Sequence, residues 1–330
     1  SVSPATIDIR HQRHPHAIQV LGVSPDGFSL DLHSEAKFTS SNPSVAIVDA
    51  TGWVTPVNSG TAQITIAVRN ESKTVPVKVT LPATEPPTSF RHEVMPVLTR
   101  AGCNAGACHG YSLGKNGFKL SLRGESPEQD YFAIVKDSSA RRLSFQSPAA
   151  SLLITKARGE SNHEGGTRFL RGSLSDRILN AWIAHGSPDD LKDPARVVGV
   201  RLVPDKLVLK PNQKHRLQLP ADYADGSTRD VTRLGIFSAN NDLFSTVSED
   251  GLVVGGAVGE TAIVGRFERL FSATGVTVLG EAKAFTPAPV PTHLVANPII
   301  AKLNRLKETP SPLATDEVFL RRADLDMIGL

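Results

Sequence analysis

The chain has 330 residues, a formal net charge of +3 and an aromatic content of only 5%. This length predicts two or three domains, and the 26 glycines and 23 prolines favour β-sandwich modules with many turns. The nearly balanced charge, without a cluster of Lys and Arg, argues against a nucleic-acid-binding stripe. No run of about 18 apolar residues is present to span a membrane.

The first feature along the chain is a segment that occurs again 199 residues later. Residues 38–42 read FTSSN and residues 237–241 read FSANN, and the same spacing is kept through Gly60 and Gly259. Both copies continue into stretches in which apolar and polar residues alternate, with turns about every 8 to 12 residues. This pattern predicts two small antiparallel sandwiches.

The region between the copies, about residues 84–192, has a different texture. The proline-rich residues 81–88 predict a stiff linker, and apolar residues at helical spacing then predict a helix over 90–100. Residues 117–124 alternate like a strand. A closing helix is predicted over 174–184, with its apolar face toward a core.

Both cysteines of the chain lie in one short loop of this region. Cys103, Cys108 and His109 form the pattern C-x4-C-H, which is one step looser than the C-x-x-C-H of c-type haem attachment. Two thiols could join the vinyl groups of a haem, and the imidazole could bind its iron. The same thiols could instead form a disulfide or stay free. Zinc is disfavoured because no second cluster of ligands is present.

The two repeated segments resemble bacterial immunoglobulin-like domains of group 2, over about 1–83 and 195–280. The residues that carry the resemblance are FTSSNPSVAIVDATGWVTPVNSGTAQITI and FSANNDLFSTVSEDGLVVGGAVGETAIV. Such domains are usually surface spacers or adhesion modules, and the resemblance implies no catalytic residues.

The middle region resembles a class I cytochrome c and, more narrowly, the cytochrome c-like module of large planctomycete surface proteins. The matching stretches are FRHEVMPVLTRAGCNAGACHG, SLLITKARGESNHEGGTRF and ILNAWIAHGSP. The chain departs from the usual pattern in its cysteine spacing, and it lacks the Met-Pro motif of the distal ligand.

The resemblance implies that His163 occupies the place of that distal ligand. It lies on a glycine-rich loop, so His109 as proximal ligand and His163 as distal ligand would bind the iron from its two faces. Two imidazoles would lower the reduction potential and favour electron transfer over oxygen chemistry. His163 could also be an ordinary loop residue, and His185, His92 and Met95 are the other candidates.

The end of the chain predicts a second stiff linker at 287–291 and two amphipathic helices, over about 293–306 and 311–326. Its last residues, SPLATDEVFLRRADLDMIGL, resemble the opening of a helical domain that follows such modules in planctomycete proteins. We therefore expect that the C-terminal domain of a larger protein continues beyond Leu330.

The expected fold is multidomain, with two all-β immunoglobulin-like sandwiches flanking a mainly α cytochrome c-like domain. The expected domains are 1–83, 84–192, 193–282 and the linker with the start of a helical domain, 283–330.

The expected function is electron transfer by one covalently bound haem c, with Cys103 and Cys108 as the thioether residues and an unknown redox partner. Covalent haem attachment implies export, to the periplasm, the cell surface or the medium. The alternatives are a haem-free adhesion protein with a Cys103–Cys108 disulfide, and a haem module with a peroxidase-like or sensor-like role. We expect no enzyme, because no hydrolase or transferase motif is found, and no nucleic-acid partner.

Overall fold

The computed structural model describes residues 1–192, 195–280 and 285–329. The chain forms two compact units, residues 1–278 and 279–330, and each is described by itself. The expected domain boundaries at residues 193, 282 and 283 lie outside the described residues.

Unit 1 begins with a β-sandwich of short strands. These are β1 Val2–Ser3, β2 Ile7–Ile9, β3 His16–Ala17, β4 Gln19–Val23, β5 Ser29–Asp31, β6 Ala36–Ser40, β7 Ala46–Val48, β8 Trp53–Pro56, β9 Gly60–Val68 and β10 Glu71–Val79. They pair in the orders β1-β4-β5, β2-β10-β9-β6 and β3-β8-β7. Alternate residues of β9 and β10, such as Ile64 and Val75, are buried in the core, as the period of two along each strand predicts.

Unit 1 ends with a second sandwich of the same design. Its strands are β11 Val197–Val200, β12 Lys206–Leu209, β13 Lys214–Arg216, β14 Pro220–Tyr223, β15 Thr228–Asp230, β16 Ile236–Ala239, β17 Ser245–Val247, β18 Leu252–Gly255, β19 Gly259–Phe267 and β20 Leu270–Val278. Their orders, β11-β14-β15, β12-β20-β19-β16 and β13-β18-β17, repeat those of the first sandwich. In both copies the four-stranded sheet contains one parallel pair, β2 with β10 and β12 with β20.

One turn shows why the repeat is visible in the sequence. Gly52 and Gly251 have φ angles of +80° and +76°, a conformation that glycine adopts without strain. A Cβ atom on Gly52 would lie 3.1 Å from Phe38 Cζ, and one on Gly251 would lie 3.3 Å from Phe237 Cζ. The same close contact between a glycine and a phenylalanine therefore occurs in both sandwiches.

The region between the sandwiches contains short helices: a π-helical turn Phe90–Val94 that continues into α1 Met95–Arg100, α2 Pro127–Tyr131 that continues into a second π-helical turn Phe132–Lys136, α3 Leu152–Ala157 and α4 Leu174–Ala184. Helix α4 has the predicted limits. Its Trp182 is fully buried, with ring centroids 5.3 Å from Phe90 and 6.4 Å from Tyr131.

The predicted strand over 117–124 is wrong. This stretch contains a single bridge between Lys115 and Phe118, followed by a 3-10 turn at Leu122–Gly124. Gly117 and Gly124 have φ angles of +71° and +76°, and a strand cannot continue through such residues.

The predicted fold class is also wrong. The middle region is not a mainly α cytochrome-like domain, because among the described residues its longest helix has 11 residues and long stretches are held in turns by local backbone hydrogen bonds. Most of the regular structure of unit 1 is the repeated pair of β-sandwiches.

Unit 2 contains two helices, α5 Ala296–Leu306 and α6 Asp316–Ile328, close to the two that the sequence predicts. Within the described ranges, none of the helices has both the length and the apolar character needed to cross a membrane.

Candidate functional site

The loop that carries the two cysteines is fixed by its own backbone. The amide of His109 donates to the carbonyl of Cys103 at 3.0 Å, and the amide of Leu120 donates to the carbonyl of His109 at 2.8 Å. Asn104 is buried, and its side-chain amide donates to Thr99 Oγ1 at 2.9 Å. A Cβ atom on Gly110 would collide with the carbonyl of Asn104. Glycine is therefore required at position 110.

The structure brings His109 and His163 together. Their ring centroids are 6.3 Å apart and their planes differ by 10°. Each ring has Nδ1 next to a backbone carbonyl, that of Phe118 at 3.0 Å for His109 and that of Gly166 at 3.1 Å for His163. A carbonyl only accepts, so both Nδ1 atoms donate, and an imidazole of this tautomer carries its lone pair on Nε2. Burial lowers the pKa of His109, which keeps this ring neutral.

These rings line a cavity of about 300 Å³. Apolar side chains form much of its wall, including Leu98, Phe118, Leu120, Leu152 and Leu153. Cations supply most of the polar part: Lys115, Arg141, Arg142, Lys156 and Arg168. Among the described residues that line the cavity, none is acidic. The cavity therefore combines an apolar wall with an excess of positive charge.

Both cysteines also line the cavity, and both are free thiols. The alternative Cys103–Cys108 disulfide is therefore not formed in this structure. Removal of water from around the sulfur raises the pKa of Cys103 to about 11, so it remains protonated at neutral pH. The Arg168 guanidinium lies 3.7 Å from Cys108 Sγ.

The other candidate ligands lie elsewhere. His185 is exposed at the end of α4, and its Nδ1 donates to the carbonyl of Ala181 at 2.6 Å. His92 is buried and donates to a carboxylate oxygen of Glu268 at 2.5 Å. Met95 is buried in the hydrophobic core of the middle region.

The sequence reasoning missed a second set of residues, which joins the two sandwiches. Gln19 Nε2 donates to the carbonyl of Arg216 at 3.1 Å, and Gln218 Nε2 donates to the carbonyl of Ala17 at 2.9 Å. Gln19 and Gln218 are 199 residues apart, as are Ala17 and Arg216. Each sandwich therefore donates an equivalent hydrogen bond to the other. We call this contact the reciprocal seam.

Two aspartates complete the reciprocal seam. The amide of Ala17 donates to Asp230 Oδ2 at 2.9 Å, and the amide of Arg216 donates to Asp31 Oδ2 at 3.0 Å. Asp31 and Asp230 are again 199 residues apart. The repeat spacing, extended toward the N-terminus, is the signal that could have found these residues. Such self-complementary pairing is the geometry of a two-fold interface.

Each sandwich also contacts the middle region. Arg13 of the first sandwich donates through Nε to Glu93 at 3.2 Å, and only 4% of the Glu93 side chain is exposed. Arg100 of the middle region donates to Asp250 of the second sandwich at 2.9 Å. Unit 1 is thus tied together by polar contacts at all three junctions.

The comparisons with known proteins identify one module. Residues 34–81 match the family model of a bacterial Ig-like domain (Big-like). No curated protein matches the chain.

Solved structures are similar only at a low level. Domains 5–6 of the surface layer protein SbsC share 10% identity at a TM-score of 0.35, over 86% of this chain and 97% of that one. Domains 1–6 of the same protein share 12% identity at a TM-score of 0.23, over 81% of this chain and 23% of that one, so the chain spans about a quarter of that length. A GH10 xylanase from termite gut with a bacterial Ig-like domain shares 21% identity at a TM-score of 0.17, over 26% of this chain and 22% of that one. Similarity at these TM-scores carries no argument.

These findings correct the predicted function. The family model that matches, over residues 34–81, is that of a bacterial Ig-like domain and not that of a cytochrome. Among the described residues, no group of three or more His, Cys, Asp or Glu side chains is placed to hold a metal ion; His109 and His163 form only a pair. The predicted cytochrome c-like module, its haem c and its electron-transfer role are therefore wrong, and the peroxidase-like and sensor-like alternatives fail with them.

Proposed function

We propose that this chain is a rigid structural part of a protein at the cell surface, in which two immunoglobulin-like sandwiches hold the region between them in a fixed place. The observation that carries the proposal is the reciprocal seam, because its buried polar groups would lose their hydrogen-bond partners if the two sandwiches moved apart. Gln19 and Gln218 are each only 2% exposed. The bacterial Ig-like match over residues 34–81 supports a location at the surface or outside the cell.

The proposal includes a division of the chain into parts 1–83, 84–192, 193–282 and 283–330. Three separate hydrophobic clusters support the first three parts, one in each sandwich and one in the middle region. The polar junctions between these clusters make unit 1 a single compact unit.

A urea unfolding experiment tests the rigid scaffold. Trp53 reports on the first sandwich and the fully buried Trp182 on the middle region, so fluorescence follows two parts at once. We expect one transition for the intact chain and two separated transitions for the double variant Gln19→Ala/Gln218→Ala. Asn58→Ala, an exposed site on the first sandwich, is the matched control. Two transitions in the unmodified chain would contradict a rigid scaffold.

The location is tested on intact cells that produce the protein. Added protease should digest the chain before the envelope is opened if it lies at the outer surface. A chain that is cut only after the envelope is opened would instead be periplasmic, and the surface location would be wrong.

A second function is favoured by the cavity, for which we propose that Cys103, Cys108, His109 and His163 form the binding site of a small ligand. Its apolar wall and its excess of cations favour an apolar molecule with an acidic group. Because the Cys103 thiol stays protonated, it supplies packing surface rather than a nucleophile at neutral pH.

Anilinonaphthalene sulfonate, an apolar anion whose fluorescence rises in apolar surroundings, is a direct probe of this cavity. We expect saturable binding that is weakened at least about fivefold by Arg141→Ala, which removes a cation from the rim. His185→Ala, which changes a histidine outside the cavity, should leave the binding unchanged. Equal binding by all three proteins would show that the probe sits elsewhere and would refute the site.

A further inference from the structure

A second cavity of unit 1 is larger than the cysteine–histidine cavity and includes neither cysteine in its wall. It is a cleft of about 750 Å³ that lies against the reciprocal seam, with walls from both sandwiches and the middle region. Ligand sites commonly have volumes of about 300–1,000 Å³ and occur at such junctions. We call it the junction cleft.

Some arginines of the junction cleft are paired with a carboxylate, and others are not. Two described carboxylates line the cleft, and Arg100 pairs with both, with Asp250 at 2.9 Å and with Glu249 at 3.7 Å. Arg168, Arg216 and Arg233 also line the cleft, and no described carboxylate lies within ion-pair distance of any of the three. Arg168 already lies 3.7 Å from Cys108 Sγ, so Arg216 and Arg233 carry the guanidinium groups that remain available. A guanidinium binds planar or tetrahedral oxyanions through paired hydrogen bonds.

One wall of the cleft is both aromatic and cationic. The Arg233 guanidinium carbon lies 3.7 Å from the centroid of the Trp53 ring, a stacked arrangement that holds the charge against an apolar surface. Such a wall suits a ligand with an apolar face next to an acidic group. A sugar ring that carries a carboxylate or sulfate has this combination.

The remaining polar groups of the cleft are mostly neutral hydroxyls and amides. Ser175 contributes a hydroxyl with no hydrogen-bond partner among the described side chains and backbone. Gln19 and Gln218 also line the cleft, with their amides in the reciprocal seam. Neutral hydrogen-bonding groups beside unpaired cations match a polyhydroxylated anion better than a purely acidic chain.

We propose that the junction cleft binds an acidic polysaccharide, through Arg216 and Arg233 on the second sandwich and Trp53 on the first. The acidic group can be a carboxylate or a sulfate, since both are recognised by the same guanidinium geometry. The junction cleft contains none of Cys103, Cys108, His109 and His163, and of its described lining residues only Arg168 also lines the cysteine–histidine cavity.

The intact chain offers a built-in reporter. Trp182 is fully buried in the middle region, whereas Trp53 is partly exposed and lines the cleft. Titration with oligogalacturonate, as the carboxylate probe, and with heparin oligosaccharides, as the sulfate probe, should therefore change the fluorescence of Trp53. Neutral maltooligosaccharides should give no change at the same concentrations. Calorimetry of the same titrations, repeated with the variant Trp53→Phe, shows whether the fluorescence change comes from this ring.

Two variants and a control decide the proposal. Arg216→Ala and Arg233→Ala should each weaken binding of the preferred probe about tenfold or more, because each removes a charged partner of the ligand. The melting temperature should stay unchanged in Arg216→Ala and should fall slightly in Arg233→Ala, which also loses the stacking on Trp53. Arg201→Ala removes a half-exposed arginine outside the cleft and should leave binding within about twofold. An equal loss in all three variants would show unspecific charge attraction and overturn the proposal. Absence of binding to both acidic probes, or equal binding of a polyglutamate peptide, would overturn it as well.

Discussion

The two sandwiches contact each other through a repeated set of residues, whereas each contacts the middle region through residues without a counterpart in the other copy. In the reciprocal seam Gln19 and Gln218 each donate an equivalent hydrogen bond to the backbone of the other sandwich. The contact of Arg13 with Glu93 occurs only in the first copy. The difference indicates that the seam belongs to the repeat itself, while the middle region is held by contacts particular to each side.

Removal of an aspartate from the reciprocal seam should have the largest effect. Asp230 is fully buried at its side chain and accepts hydrogen bonds from Ala17, Gln218 and Thr232. Asp230→Ala leaves these donors without partners, so we expect a loss of about 3 kcal/mol in the free energy of unfolding. Asp31→Ala, at a side chain that is 13% exposed, should cost about 2 kcal/mol.

Urea unfolding at neutral pH measures both changes. Asp8→Ala is the matched control, because Asp8 is half-exposed in a surface pair with Arg10 and such pairs contribute about 0–1 kcal/mol. If Asp230→Ala were no more harmful than the control, the seam would not contribute to stability.

The next largest loss of stability should come from the contact of Arg13 with Glu93, which occurs only in the first copy. The carboxylate of Glu93 accepts from the amide of Ser89 at 2.8 Å and from Arg13 at 3.2 Å. Glu93→Gln keeps the shape but leaves Arg13 with a neutral partner in a buried place, and we expect a loss of about 2 kcal/mol. Glu85→Gln changes the other carboxylate bound to Arg13, at 2.9 Å, but this one is 34% exposed and should have a smaller effect. Equal losses would mean that burial at Glu93 does not matter.

The same contrast explains how much the sequence could predict. The sandwiches were predictable because strand alternation and turn glycines such as Gly52 and Gly251 are local signals that occur twice. Helix α4 was predictable because Trp182 and its apolar neighbours follow the helical period. The reciprocal seam was not predictable, because it depends on how the two distant copies are placed against each other. A repeat spacing in the sequence does not give that placement.

At the candidate site, the sequence pattern grouped the residues but did not identify their ligand. Cys103, Cys108 and His109, which are neighbours in the sequence, line one cavity together with the distant His163. A spacing pattern fixes proximity but not the ligand, and the haem inferred from it was wrong. The strand predicted over 117–124 failed for a simpler reason, since glycines with positive φ angles interrupt it.

Acid should weaken the contact between the first sandwich and the middle region. Burial lowers the pKa of His11 to about 4 and also lowers that of His14, beside Arg13, Arg229 and Glu93. The unfolded chain then takes up protons first, so stability falls as the pH drops from about 6.5 toward 4. Because His11 is only half-buried, we expect about 1 kcal/mol after solvent screening.

His11→Gln should flatten this part of the stability–pH curve, measured by urea unfolding between pH 7 and 5. His185→Gln alters an exposed histidine at the end of α4 and should leave the curve unchanged. A curve of the same slope in both variants would exclude His11 as the source.

The smallest effect should come from a position at which the two seam aspartates, Asp31 and Asp230, have different side-chain partners. Asp31 is bound by His33 at 2.5 Å, whereas Asp230 is bound by the hydroxyl of Thr232 at 2.6 Å. His33→Thr makes the first half resemble the second. Since a hydroxyl and an amide can still donate to Asp31, we expect a loss below about 1 kcal/mol at neutral pH.

Unfolding at acid pH distinguishes Asp31 from Asp230 more clearly. Desolvation opposes the shift, but the bonds and charge of His33 lower the pKa of Asp31 to about 2, below its usual 3.8. The stability that this carboxylate contributes is present above pH 3.8 and is lost as the pH falls to about 2. In His33→Thr the pKa of Asp31 should return toward its usual value, so unfolding experiments between pH 4 and 2 should show a shallower decline than in the unmodified chain. An unchanged decline would place the acid sensitivity elsewhere and leave the two halves of the seam electrostatically equivalent.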